Sequence, residues 1–156
     1  APKAQMSIGS AREKQSDYPL AVKAYERAAD RYHDRPQVAA DALYKAGLAY
    51  NKQAKTAEYD QNIAGQAIAT FSDFMTLYPE DPRLPEAQKL IASLKSEQAR
   101  GSFDIARYYE KRKRWDGALV YYNEVLIKDP ESKYADQAKR RIDEIKKLTS
   151  GESASQ

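Results

Sequence analysis

The chain contains no cysteine. A disulfide, a thiolate nucleophile and a cysteine-ligated metal are therefore all excluded. There is one histidine, His33, beside an expected turn. It has no second histidine or cysteine to complete a metal or catalytic set, and it reads as a surface residue. The six glycines are scattered, so no phosphate-cradling loop appears, and no serine lies in a nucleophile-elbow pattern. The 23 acidic side chains are spread over solvent-facing positions. None forms a pair isolated in an apolar stretch, where one pKa would rise for acid–base work. No apolar run approaches the roughly 20 residues of a membrane-spanning helix. The excess of positive charge is slight, 26 basic residues against 23 acidic for a net charge of +3, which is little for a dedicated nucleic-acid binder. The expectation is a protein that is not an enzyme and holds no cofactor and no metal.

What the chain does have is helical periodicity. Its 156 residues are 42% hydrophobic and 31% charged, enough for one domain with a modest core. Twelve tyrosines, three phenylalanines and one tryptophan stand among many alanines, a mixture suited to helices that approach closely and interdigitate. Leu20, Ala21, Ala24, Tyr25, Ala28 and Tyr32 recur at three- and four-residue steps and share one helical face. Ile63, Ala64, Ala67, Ile68, Phe71, Phe74, Met75 and Tyr78 do the same, as do Ala118, Leu119, Tyr122, Val125 and Leu126. Prolines 36, 79, 82, 85 and 130 fall between such faces. Asp17, Asp60, Ser102 and Ser132 are candidate caps, and Gly101 reads as a break between helices. Helices are expected near 4–15, 18–33, 37–54, 61–78, 83–99, 102–113, 116–128 and 132–148. Residues 1–148 would form a single domain, followed by a disordered polar tail over 149–156.

These helices repeat. Ala21 and Tyr25, Ala67 and Phe71, and Ala118 and Tyr122 each place a small residue one turn before a ring, with a proline following at 36, 79 or 130. A helix–turn–helix unit of this kind cannot bury its face alone and must stack on its neighbours. The fold class is therefore all-α, a tetratricopeptide-like α–α superhelical solenoid of about four helix pairs. The first two copies are 46 residues apart and the next two 51, against about 34 for a plain tetratricopeptide unit. Insertions are expected at about 53–62 and 95–103. A helical bundle with coincidental alanine–aromatic pairs is the bland alternative.

Two features carry interaction chemistry. The run Lys111-Arg112-Lys113-Arg114 is the densest charge. Such cations complement a helix C-terminus, or they meet an acidic partner surface. Lys139-Arg140-Arg141 with Lys146 and Lys147 reads as the solvated face of the last helix. Tyr44, Tyr59, Tyr108 and Tyr121 fall off the main apolar stripes and could line the concave groove of stacked helix pairs as peptide anchors. The candidate protein-binding set is Tyr44, Arg107, Tyr108, Lys111 and Arg114. RNA binding is poorly supported, because few stacking aromatics are interleaved with the charges.

The stretch from Phe103 to Leu126, FDIARYYEKRKRWDGALVYYNEVL, resembles the BamD family, also called YfiO or ComL. So does the upstream QNIAGQAIATF from Gln61 to Phe71, running to Leu77-Tyr78-Pro79, and so does the helix from Arg83 to Ala99. The likeness extends over roughly residues 17–147 and includes the long spacing between repeats. It implies a lipoprotein of the outer-membrane β-barrel assembly machinery, on the periplasmic face of the outer membrane, anchored by a lipidated N-terminal cysteine that would precede Ala1. Its implied partners are the periplasmic domains of the barrel-inserting subunit and unfolded barrel precursors, with no nucleic acid and no membrane contact beyond the anchor. Members of that family typically carry five repeats. A different periplasmic repeat adaptor, coordinating envelope constriction with peptidoglycan synthesis, is the alternative, and the 46- and 51-residue spacings argue against it.

Overall fold

The computed structural model describes residues 2–55 and 60–154. Seven helices follow one another among them: α1 (Pro2–Lys14), α2 (Tyr18–Arg31), α3 (Pro36–Ala54), α4 (Gln61–Leu77), α5 (Leu84–Lys111), α6 (Trp115–Lys128) and α7 (Ala135–Ala154). The described residues contain no strand. Consecutive helices pack on each other, so the all-α, tetratricopeptide-like reading holds. The chain divides into two compact units, Ala1–Leu94 and Lys95–Gln156, with α5 supplying residues to both.

Helix starts follow local chemistry. The Asp17 carboxylate accepts from the Leu20 backbone N–H at 3.4 Å, and Asp60 accepts from Asn62 and Ile63 at 2.9 and 3.1 Å. Each thereby satisfies amides left unpaired at a helix N-terminus. Prolines stand in the first turns of α2 and α3, where no amide hydrogen is needed. Ser16 and Lys113 hold left-handed φ values of 57° and 56°. The Asp17 N–H returns to the Arg12 carbonyl and the Arg114 N–H to the Tyr109 carbonyl, at 2.8 and 2.9 Å. Both turns close their preceding helix by the same six-to-one motif.

The expected helix boundary at Gly101 is corrected. Gly101 breaks nothing, because α5 runs through it, and the extra residues expected at 95–103 are helical. A helical glycine costs only about 1 kcal/mol. Around it Ala99, Phe103 and Ala106 are buried, and Arg100 pairs with Glu97 and Asp104 at 2.9 and 3.3 Å across the glycine. The two helices expected over 83–113 are therefore one. Neither serine caps a helix. Ser102 lies inside α5 with its buried hydroxyl donating to Glu124 at 3.3 Å, and α7 starts three residues after Ser132. The last helix is assigned to Ala154, past Leu148, where the periodic face ends. Of the expected insertion at 53–62, residues 56–59 lie outside the described residues, as does Tyr59.

In residues 1–94 the core alternates small residues and rings. Ala40, Ala54, Ala64, Ala67 and Ala87 surround Tyr44, Phe71, Phe74 and Leu94. Gly47 is part of that fit: a Cβ there would stand 2.7 Å from the Phe71 ring. A second cluster joins Ala21, Val22 and Tyr25 of α2 to Ala46 and Ala49 of α3. In residues 95–156, Ala99, Phe103 and Ala106 of α5 meet Ala118, Tyr122 and Val125 of α6 and Ala138, Ile142 and Ile145 of α7.

The hydroxyls of buried and half-buried tyrosines need partners, and carboxylates on neighbouring helices supply them for three. Tyr25 donates to Glu13 at 2.8 Å, Tyr50 to Glu26 at 2.7 Å, and Tyr122 to Glu110. Burial first, then the carboxylate, pushes the Tyr50 pKa up to about 12 and raises those of Tyr25 and Tyr122 still further.

Candidate protein-binding surface

The end of α5 and the turn after it carry a cluster of exposed polar and aromatic side chains. Asp104, Arg107, Tyr108 and Lys111 recur at three- and four-residue steps on one face of α5, and Arg112 follows in the turn. They line an open depression of about 420 Å³. Tyr108 is 53% exposed. The Arg112 guanidinium lies 3.6 Å from the Tyr108 ring centroid and also donates to the Tyr108 carbonyl at 3.3 Å. This stacking holds a flexible cation flat on a ring.

The ring contacts continue onto α6. Tyr108 meets Tyr109 edge-on at 5.7 Å, and Tyr109 stacks on Tyr121 at 5.7 Å with planes 11° apart. Gly117 makes the stack possible, since a Cβ there would come 2.8 Å from the Tyr109 ring.

The charge on this face is unbalanced. Asp104 is engaged by Arg100. Glu110 points away from the depression, to Tyr122 and Arg141. Among the described residues Arg107, Lys111 and Arg112 have no ion-pair partner. Residues 95–156 hold 14 basic and 11 acidic side chains, whereas residues 1–94 hold twelve of each. The net positive charge of the protein therefore belongs to the second unit, and this helix face concentrates it.

The structure brings Arg107, Tyr108 and Lys111 together in one depression; Arg114 does not line it, and Tyr44 lies in the core of the first unit. Arg114 lies beyond the left-handed Lys113 and begins α6, with no side-chain capping bond. Tyr44 belongs to the core of the first unit and is only 5% exposed. It packs against Phe71 and Phe74, with centroids 5.8 and 5.2 Å away, and the Arg83 guanidinium lies 4.8 Å over its ring. Arg83 is itself tied to Asp41 and Asp81 at 2.9 and 3.0 Å. The reason is geometric. Helix α3 is covered by both α2 and α4, so its buried arc takes in Ala39, Ala40, Ala42, Tyr44, Ala46, Gly47 and Ala49. A residue beside one apolar stripe is then under the second neighbour. Burial, then the nearby Glu86 carboxylate, pushes the Tyr44 pKa up to about 12, although the hydroxyl makes no hydrogen bond of standard geometry. Tyr44 is a packing residue and leaves the binding set. Arg112 enters it, and its four-residue spacing from Tyr108 was the available signal.

His33 is exposed, its Nδ1 2.9 Å from the Asp30 carbonyl oxygen. Among the described residues no group of histidine, aspartate and glutamate could hold a metal ion, and no helix is long and apolar enough to cross a membrane.

Helix–turn–helix units repeated in register, with an exposed basic and aromatic helix face, define a tetratricopeptide-like helical-repeat protein. The chain belongs to the YfiO family of outer membrane lipoproteins, whose family model matches residues 1–138. No curated protein matches it. Membership bears out the resemblance seen in the Phe103–Leu126 stretch and places the protein in the bacterial cell envelope.

Proposed function

We propose that this protein is a non-catalytic scaffold that assists the assembly and insertion of β-barrel proteins into the outer membrane. The observation that carries the reading is the family match over residues 1–138. The partners are the periplasmic domains of the barrel-inserting subunit and unfolded barrel precursors. The surface that meets them is the face of Arg107, Tyr108 and Lys111, extended by Arg112 and flanked by Arg114. Rings supply affinity there, and unpaired cations steer encounter with an acidic surface.

The test is biolayer interferometry of the whole chain against the purified periplasmic domains. Tyr108→Ala is expected to change unfolding free energy by less than about 0.5 kcal/mol, since the ring is half exposed, yet to weaken capture. Lys111→Glu with Arg114→Glu should chiefly slow association, most strongly at low salt. Parent-like binding by both variants would remove this face from the working surface.

A further inference from the structure

The three repeat copies can be compared position by position from their shared alanine. Two residues after it stand Lys23, Ala69 and Val120, and nine after it stand Asp30, Thr76 and Ile127. All six are exposed. The first copy is charged at both outward positions, as solvent contact favours, and the second carries only a methyl and a hydroxyl-bearing threonine. The third is a branched aliphatic at both. Val120 is 56% exposed and Ile127 77%. They lie two helical turns apart, about 10 Å along one stripe of α6. Scattered exposed aliphatics are ordinary. Two on one stripe, where neither sister helix places a large aliphatic, mark a surface that something covers.

We propose that this outward stripe of α6 docks an acidic, amphipathic segment of a protein partner. The inference rests on the scaffold reading above and extends its working surface from α5 onto α6. Charge identifies the occupant. Lys113 and Arg114 immediately precede α6, with Lys111 and Arg112 just before them, and none has an ion-pair partner among the described residues. Asp116 is the one acid on the stripe, which continues through Val120, Asn123 and Ile127. The Tyr109–Tyr121 stack joins α6 to α5 beside Val120. A segment with aliphatic side chains spaced by two turns and carboxylates at one end complements both features.

The test uses the whole chain and a fluorescein-labelled synthetic peptide whose leucines recur one heptad apart and whose flanking positions are glutamate, read by fluorescence anisotropy. Val120→Ala with Ile127→Thr installs the residues that α4 carries at these positions, and a thermal melt confirms that the fold is kept. This stripe variant is expected to bind the peptide roughly 10-fold or more weakly. Lys113→Glu with Arg114→Glu should weaken binding at low salt and much less at high salt. No binding by the parent overturns the inference, as does equal binding by the stripe variant or by a lysine-flanked peptide. A parent dimer in sedimentation, lost in the stripe variant, overturns it in favour of a second copy. Flotation with phosphatidylglycerol vesicles, lost in the same variant, overturns it in favour of a lipid surface. A stripe variant that captures the barrel-assembly domains as the parent does overturns the α6 assignment alone and leaves the scaffold reading standing.

Discussion

Phe71→Ala is expected to lower the unfolding free energy by roughly 3–5 kcal/mol, as emptying a packed aromatic site does. The ring is fully buried, meets Tyr44 edge-on at 5.8 Å and lies directly over Gly47. Neither neighbour can fill the space. Tyr44 is held by Phe74 and by Arg83, which Asp41 and Asp81 fix in turn. Gly47 has no side chain to offer. Against a typical domain stability of about 5–15 kcal/mol, much of the folded population would be lost at modest urea. A double-mutant cycle sharpens the expectation. Gly47→Ala alone forces its Cβ to about the 2.7 Å contact with the ring and should destabilise, whereas in the Phe71→Ala background the added methyl should be neutral or favourable. Urea titration of the four proteins measures this. A change near zero for Phe71→Ala, or an additive cycle, would mean that the ring is not packed on Gly47.

Phe71 was legible because the small-residue-then-ring register holds in every copy. Ala21 and Tyr25, Ala67 and Phe71, and Ala118 and Tyr122 are all buried. Asp17 and Asp60 were legible as caps because the chemistry of an aspartate at a helix start is local. What stayed hidden depends on neighbours or on unusual residues. Gly101 looked like a break, but an ion-paired arginine and a buried face on either side override one glycine's propensity. The left-handed turns at Ser16 and Lys113 carry no glycine to announce them. Tyr44 was misread because a single periodic stripe describes a helix with one neighbour, and α3 lies between α2 and α4. On the candidate binding surface, Arg107, Tyr108 and Lys111 were visible as cations beside an off-stripe ring. The Arg112 stack and the Tyr109–Tyr121 contact were not, since they depend on rotamers and on how α5 meets α6.

The other large effect is expected at Glu110, where Glu110→Ala should cost roughly 2–3 kcal/mol. Its carboxylate accepts from the Tyr122 hydroxyl on α6 and from the Arg141 guanidinium on α7, with one Arg141 contact at 2.8 Å, so one side chain ties three helices. Removing it leaves the hydroxyl of an almost fully buried tyrosine unpaired and Arg141 with only Glu144. The figure stays below that for a fully buried ion pair, because the Arg141 side chain is 35% exposed and water screens it. The pH dependence follows from the directions of the shifts. Burial would raise the Glu110 pKa, but Arg141 and Tyr122 outweigh it and hold the carboxyl below its usual range. Its contribution is therefore complete above the unfolded carboxyl pKa, near about 4.3, and is lost as pH falls through the folded value. The tyrosine partners are raised, so their contribution is complete below about pH 10 and is lost as pH climbs through their folded values. Thermal melts across pH should give a plateau of stability with an acid and an alkaline shoulder. In Glu110→Ala the acid shoulder should flatten, while the alkaline shoulder persists through Tyr25 and Tyr50. An unchanged acid shoulder in that variant would show that Glu110 is not what couples these helices to pH.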